Sequence, residues 1–551
     1  MYVAFASPHI VDGDNAEFAT LGALGGRAHP SGYPLYVLWL RLWSWLPGST
    51  PAHTAAIATA ILGALAIGVW HAACVAWGAR PLAALISIAI VGAAPLVQRY
   101  HCEAEVFAMN NLVVGLVVWL AAERGPLRGR GRGAALGLVA GAGLANNLTC
   151  VLIAPIGLLG IIRAGRESRV STYAIALGGL VLGLAPCAYL GIADGPASWG
   201  VVSTPSELMA FMLRREYGGA TRFLLDGTEV AWTASVVACL ATIARSWLWL
   251  PAIAGGAMFA LRIWHPSGES RWAWALLLAS FVLAGPLLAT RFNIDPHGLG
   301  LYVCERFHVL PVLLVAVPVA AAADLACAHI SRTTLATSLT IAGFVALSIA
   351  RWPQLSRAQS PAMELGIKNL LGSLPRGSIV VVAADDQCFG GRYLQLTRGQ
   401  RADVAVVCAG LLPARWYRAA WARQDLEIPP TTGPSLGDAL LRTNRPVFVD
   451  PSTIRVLAEF PSYPFGVVMR VLPRGVSAPP ASEVAEMNRD LFRAFDLDYP
   501  RPSRDDSYAA VAHHRYAACW AAIARRLDAQ GDRRAALDAF ELTRVLQPTA
   551  D

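Results

Sequence analysis

Between about residues 53 and 350 the chain is a succession of apolar stretches, each close to the length that crosses a bilayer. A hydrocarbon core of roughly 30 Å takes about 20 residues of helix, and a helix satisfies its own backbone groups there. Candidate spans are 53–78, 81–98, 105–122, 134–147, 148–162, 171–193, 246–262, 272–290, 306–326 and 334–350. The two inside 134–162 are short for separate crossings, so tilt or a break near Asn146 and Asn147 is expected. Composition agrees: 55% of residues are hydrophobic and 15% charged, against about 25% charged in soluble proteins. Mean hydropathy is +0.47. This excludes an ordinary cytosolic enzyme and a disordered chain. The net charge of +8 does not indicate nucleic acid, since Lys is nearly absent and Arg sits in short runs between apolar stretches. The ten cysteines are scattered, mostly in apolar runs such as those holding Cys74, Cys150, Cys187 and Cys239. With no CxxC pair they suggest small buried side chains, and neither a zinc site nor a disulfide framework.

Short Arg-rich loops stay on the cytoplasmic side. Arg124, Arg128, Arg130 and Arg132 form one such cluster, and Arg163, Arg166 and Arg169 another. Counting crossings from them, with Arg80 and Arg332 also inside, places residues 1–52 and everything after about 352 outside. The parity requires that 227–245, with Thr228, Glu229, Thr233, Ser235, Thr242 and Arg245, lie in the interface. Residues 33–47 carry Tyr33, Tyr36, Trp39, Trp43 and Trp45, which suit the headgroup level. An outer start for residues 1–52 calls for an apolar helix before them, or for insertion directed by a later helix; the former is expected. The location implied is a multi-pass membrane protein, a bacterial inner membrane with both soluble parts on the periplasmic side.

Four regions follow from this division: an outer loop with interfacial helices (1–52), a transmembrane bundle (53–352), a soluble α/β domain (353–480) and a helical tail (481–551). Apolar, β-branched runs at 378–383, 403–408, 446–449 and 466–471 read as strands, with helices at 411–423 and 435–442. The segment 507–547 reads as two helices around Gly531-Asp532, with Ala536, Ala539 and Phe540 in a tetratricopeptide-like pattern.

Polar residues concentrate in the outer loops. Asp12-Gly13-Asp14-Asn15-Ala16-Glu17 puts three carboxylates within six residues, followed by His29-Pro30-Ser31-Gly32-Tyr33. This suits a general base or a divalent cation site; the alternative is a solvated turn, for which DGDN is good chemistry. Arg99 to Glu105 brings Arg99, Glu103 and Glu105 to the outer ends of two helices, with Glu105 entering the second. An acid there complements the helix dipole, yet ionisable groups at a membrane boundary are often functional. Asn146 and Asn147 lie at the tip of a helix pair, where a polar interhelical contact is the alternative to substrate binding. Asp295, His297, Glu305 and Arg306 precede a helix. Arg306 suits a phosphate; a plain Glu–Arg pair is the alternative.

These motifs carry a resemblance. DNAEF followed by AHPSGYPLY resembles the D-x-x-E-F…HPPGYPLY signature of the protein O-mannosyltransferase-like branch of the GT-C polytopic membrane glycosyltransferases. EAEVFAMN resembles that branch's aEVYaLN motif, and GLANNLTCVLIAP its GLaNHLT segment, with Asn147 where His is usual. LPRGSIVVVAADDQCFGGRYLQLTRGQRADVAVV resembles the α/β region after its last membrane helix. Ser31 replaces the second Pro of HPPGYP.

The resemblance implies a GT-C-like helical membrane protein, with about 10–11 transmembrane helices, an outer α/β domain and a short helical tail. It also implies a donor sugar on a polyprenyl phosphate and transfer at the outer face. Asp14 would be the catalytic base, with Glu17 beside it. An acceptor hydroxyl needs a carboxylate to take its proton, and the leaving lipid phosphate needs a cation. Arg306, Arg99 and His29 are candidates for that cation, and Glu103 and Glu105 for orienting the acceptor or holding a divalent ion. Tyr33, Asn146 and Asn147 complete the binding set, and one displacement implies inversion. The expected partners are the lipid-linked donor, a protein or glycan acceptor and the bilayer. Alternatives are a lipid or polysaccharide acceptor, or a scaffold or transporter; a transporter calls for internal repeats and mid-membrane charges, which the sequence lacks.

Overall fold

The computed structural model describes residues 1–45, 50–168, 171–217, 230–328, 333–453, 459–503 and 507–549. Arg169, Thr228, Glu229 and Arg332, used above for orientation, lie outside the described residues. The chain divides into two units, residues 1–8 with 25–356 and residues 9–24 with 357–551. Residues 9–24, read from sequence as part of an outer loop with interfacial helices over 1–52, group with the C-terminal unit.

The first unit is helical, as its apolar runs require. The Thr50 side chain accepts a hydrogen bond from the His53 backbone N–H at 3.1 Å, and Pro51 begins the helix Pro51–Ala76. Its 26 residues reach roughly 39 Å at 1.5 Å each. Among the described residues, four helices are individually long and apolar enough to cross a membrane: Pro51–Ala76, Leu148–Glu167, Ser171–Ile192 and Thr333–Ala350. Three bent pairs raise the number to as many as seven: Pro81–Gly92 with Pro95–Cys102 (74°), Trp232–Ser246 with Leu250–Trp264 (109°), and Gly298–Leu314 with Ala316–Ala326 (40°). Phe107–Ala121 and Arg271–Leu287 are shorter apolar helices. Against the ten candidate spans read from sequence, length and composition give four to seven crossings among the described residues, several of them bent, with two shorter apolar helices beside them. Pro95, Pro251 and Pro311 sit at or near the bends, and each removes a backbone donor from a helix that would otherwise continue. The described part of the expected interfacial segment is the helix Trp232–Ser246, which is the first arm of the sharpest pair.

The tightest helix contact joins Gly129–Asn146 to Ser171–Gly183. A Cβ at Gly137 would fall 1.9 Å from the Ala176 carbonyl oxygen, and one at Gly183 2.2 Å from that of Leu138. Gly137-x₃-Gly141 faces Gly179-x₃-Gly183, the small-residue spacing by which apolar helices bring their backbones together in lipid.

The second unit holds a five-stranded sheet: β1 (Ile379–Val382), β2 (Ala405–Cys408), β3 (Val447–Val449), β4 (Ser462–Phe465) and β5 (Val468–Val471), in the order β2-β1-β3-β5-β4. The pairs β1–β2 and β1–β3 are parallel, the other two antiparallel. Four strands coincide with the four runs read from sequence. The fifth, β4, was not expected: its Ser-Tyr-Pro-Phe contains Pro464, which argues against a central strand but is tolerated at the sheet edge where β4 lies. Cys388 and Cys408 form a disulfide with a Cα–Cα distance of 5.5 Å, correcting the expectation that no cysteines pair. It staples the helix Asp385–Arg398 to the end of β2.

Helices Ala481–Arg493, Ser507–Ala529 and Arg533–Leu546 share a core of Val484, Trp520, Ile523, Leu527, Ala536 and Ala539. Asp532 caps the last helix by accepting from Ala535 N–H at 3.1 Å. The aromatic in this core is Trp520, whereas Phe540, the expected packing aromatic, is exposed.

Candidate functional site

In the second unit the DGDNAEF motif forms a helix rather than a turn, Gly13–Leu24. Asp12 starts it. Its Oδ1 accepts from the Asn15 backbone N–H at 2.7 Å, and Asn15 Oδ1 accepts from Val11 N–H at 3.3 Å. Asp12 is thereby committed to capping. Asp14 is half-buried in the first turn and Glu17 is buried. Three residues apart, they lie on one side of the helix. The preceding backbone is held by Glu364, whose Oε2 accepts from Ile10 N–H at 3.0 Å. Gly13 lies against the start of helix Asp385–Arg398, and its absent Cβ explains the glycine. Two turns along that helix, Arg392 is an electrostatic neighbour of Tyr417 and of the Glu17 carboxylate; burial lowers its pKa while these neighbours raise it.

In the first unit several of the remaining candidates lie on or beside two helices. Arg99, on the bent arm Pro95–Cys102, places its guanidinium carbon 3.4 Å from the Tyr302 ring centroid and 4.8 Å from that of Tyr100. Its Nε lies 3.6 Å from Glu103 Oε2. Tyr100 Oη donates to the Tyr302 carbonyl at 3.3 Å. Tyr302, Glu305 and Arg306 all lie within helix Gly298–Leu314, so Glu305 and Arg306 are two turns inside a helix and not ahead of one. Arg306 Nε donates to the Val303 carbonyl at 3.1 Å, and Glu305 pairs with Arg245 at 3.8 Å. Glu105 is buried just ahead of helix Phe107–Ala121 and does not enter it. Asn146 Nδ2 donates to the Val106 carbonyl at 3.3 Å, which joins the second and third motifs. Asn147 Oδ1 accepts from the Thr149 backbone N–H and hydroxyl at 3.0 and 2.9 Å, capping a short turn.

His29 and Tyr33 adjoin: His29 Nε2 lies 3.3 Å from Tyr33 Oη, with the rings edge to face. Tyr36, one turn on, is an electrostatic neighbour of Glu105. The loop is built on Arg27, which the sequence reading passed over. Its guanidinium donates to the carbonyls of Leu190, Ala193, Trp199 and Gly200. Asp295 and His297 pair with each other at 2.6 Å and are exposed. The signals for Arg27 and Arg392 were lone arginines inside glycine-rich segments, GGRAHP and FGGRYL.

These motifs and this fold can now be set beside known proteins. Residues 14–170 match the family described as Protein O-mannosyl-transferase TMEM260 N-terminal domain. The resemblance read from the motifs holds. The chain is 26% identical over 439 residues to Protein O-mannosyl-transferase TMEM260 of Mus musculus, covering 75% of this chain and 61% of that protein. It is also 26% identical over 250 residues to Protein O-mannosyl-transferase tmem260 of Dictyostelium discoideum, covering 41% and 30%. The chain thus spans about three-fifths of the mouse relative's length. In fold it is similar to ArnT from Cupriavidus metallidurans in the apo state, with a TM-score of 0.51, 13% identity, and coverage of 87% of this chain and 96% of that one. The matched region contains Asp14, Glu17, His29, Tyr33, Arg99, Glu103, Glu105, Asn146 and Asn147, and leaves out Asp12 and the group Asp295, His297, Glu305 and Arg306. The chain is a multi-pass membrane protein whose helical part has the ArnT type of fold.

Proposed function

We propose that the protein is a membrane glycosyltransferase that moves a sugar, mannose by analogy with its relatives, from a polyprenyl phosphate to a Ser or Thr hydroxyl at the outer face. Similarity to the named O-mannosyl-transferases supports the reaction class. The observation that carries the anionic donor is Arg99. It is buried, and its Nη2 has no hydrogen-bond partner among the described residues. Buried donors are nearly always satisfied, so an unsatisfied guanidinium nitrogen suits an incoming phosphate oxygen.

In this reading Asp14 takes the proton of the acceptor hydroxyl as its oxygen bonds to the anomeric carbon. The bond to the lipid phosphate breaks, and the sugar carbon inverts. Arg99, Arg306 and His29 offset the charge on the leaving phosphate. Glu17 orients Asp14. Glu103 and Glu105, with Tyr33, Asn146 and Asn147 nearby in the chain's polar segments, orient the acceptor. Asp14 and Glu17 are also the pair that would hold a divalent cation, and assays after chelation with Mg²⁺ or Mn²⁺ restored test that. The Cys388–Cys408 disulfide supports an outer location for the C-terminal unit, since such bonds persist in oxidising compartments.

Membranes bearing the protein, given labelled polyprenyl-phosphate sugars, should yield labelled protein from which alkali releases the sugar. Label confined to lipid or polysaccharide would replace the acceptor. Equal labelling by wild type and Asp14→Asn would overturn the reading.

A further inference from the structure

We propose that Arg392 is a positioning residue for sugar transfer: the α/β unit supplies the platform for the motif helix, and Arg392 holds Glu17. This rests on the reading of Asp14 as base.

The platform is the helix Asp385–Arg398. Its N-terminal turn meets the motif helix so closely that a Cβ at Gly13 would lie 2.8 Å from Asp385 Cβ and 2.9 Å from the Asp385 carbonyl carbon. Farther along, a Cβ at Gly390 would lie 3.3 Å from Ile10 Cδ1. Residues seven apart fall on the same stripe of a helix. Arg392 is seven residues beyond Asp385, and so belongs to the stripe that meets the motif helix. There it is an electrostatic neighbour of Glu17.

Three ties hold the platform in place. Asp386 Oδ2 and Oδ1 accept from Arg515 at 2.5 and 3.0 Å, and the same guanidinium lies 3.7 Å from Asp450. Cys388, one turn before Arg392, is bonded to Cys408. Gly399, at φ +61°, closes the helix in the left-handed conformation that glycine adopts freely. The α/β sheet thus delivers one cation at a fixed position to an otherwise acidic helix. Asp14 and Glu17 repel one another across one helical turn, and a cation at Glu17 offsets that repulsion. It also fixes the carboxylate beside the base. The C-terminal unit is in this view part of the catalytic apparatus.

The test is a kinetic cycle on the full chain in membranes, with Arg392→Gln, Arg392→Lys, Glu17→Gln and the double variant Arg392→Gln/Glu17→Gln. Arg392→Gln should lower kcat about 10-fold or more, with KM for the lipid donor within about 2-fold. Arg392→Lys, which keeps the charge, should recover most of kcat. The double variant should be no worse than Glu17→Gln alone, because the two residues act as one unit. A normal kcat in Arg392→Gln, strictly multiplicative effects in the double variant, or no recovery with Lys would each overturn the proposal. Asp14→Asn in the same assay separates the two ideas. An inactive Asp14→Asn beside a normal Arg392→Gln defeats this proposal alone. An active Asp14→Asn beside intact coupling of Arg392 and Glu17 defeats the assignment of the base alone.

Discussion

Gly13 and Asp385 approach so closely that a β-carbon at residue 13 would lie 2.8 Å from that of Asp385, with backbone atoms just behind it. Alanine favours a helix over glycine by about 1 kcal/mol, yet here it would push the motif helix off its seat. Overpacking of this kind costs about 1–3 kcal/mol. Gly13→Ala is therefore expected to lower the unfolding temperature of the protein and its transfer activity together. A more stable Gly13→Ala protein would show that the two helices separate easily.

Asp12 and Asp14 are two residues apart and should respond differently. Asn caps a helix about as well as Asp, so Asp12→Asn should transfer sugar nearly normally, while Asp12→Ala loses about 1 kcal/mol of stability. Asp14→Asn should lose about 100-fold or more in transfer rate, the usual share of a general base, with little change in unfolding temperature. The reverse pattern would reassign the base to Asp12.

Reporter fusions at Ala135 and Pro375 should face opposite sides of the membrane, because Ala135 follows the Arg124–Arg132 cluster and Pro375 lies in the disulfide-bearing unit. Reduction of Cys388–Cys408, or its replacement by two alanines, should weaken the C-terminal unit by about 3 kcal/mol on loop-entropy grounds. Differential scanning of wild-type and double-alanine proteins measures this.

His513 makes the tail helices pH-sensitive. Its Nδ1 lies 2.9 Å from the Leu546 carbonyl and its Nε2 3.1 Å from Tyr499 Oη, an arrangement that a neutral ring satisfies. Burial is the main cause that lowers its pKa. A folded-state pKa below the unfolded one, about 6.5 for His, means that the unfolded chain binds the proton more readily. The stabilisation is complete above about pH 6.5 and fades as pH falls towards the lowered value. Protection factors of amides in residues 533–546, taken relative to the intrinsic exchange rate at each pH, should fall between pH 7 and 5, and His513→Gln should flatten that dependence. An unchanged profile in the variant would assign the sensitivity to other groups.

Several parts of this protein were legible in one dimension. Apolar length gave the membrane helices, because lipid leaves a backbone no other partner. Runs such as Ile379–Val382 gave the strands, since a parallel strand buried on both faces reads as continuous apolar residues. The DNAEF and HPSGYPLY motifs gave the family likeness. What the sequence did not disclose depends on pairing between distant residues. Glycines at 137 and 141 carry no mark of the partners at 179 and 183. Pro464 argued against a strand that only a sheet edge permits. Cys388 and Cys408 are separated by 20 positions, and only the packing of a helix on β2 brings them together. Most of all, residues 9–24 are flanked in sequence by the membrane unit and yet fold with residues 357–551. Local sequence determined that they form an acidic, capped helix. The tertiary structure decided which residues face it, because Asp385 and the helix it begins, some 370 residues later in the chain, pack against Gly13 and make Arg392 an electrostatic neighbour of Glu17.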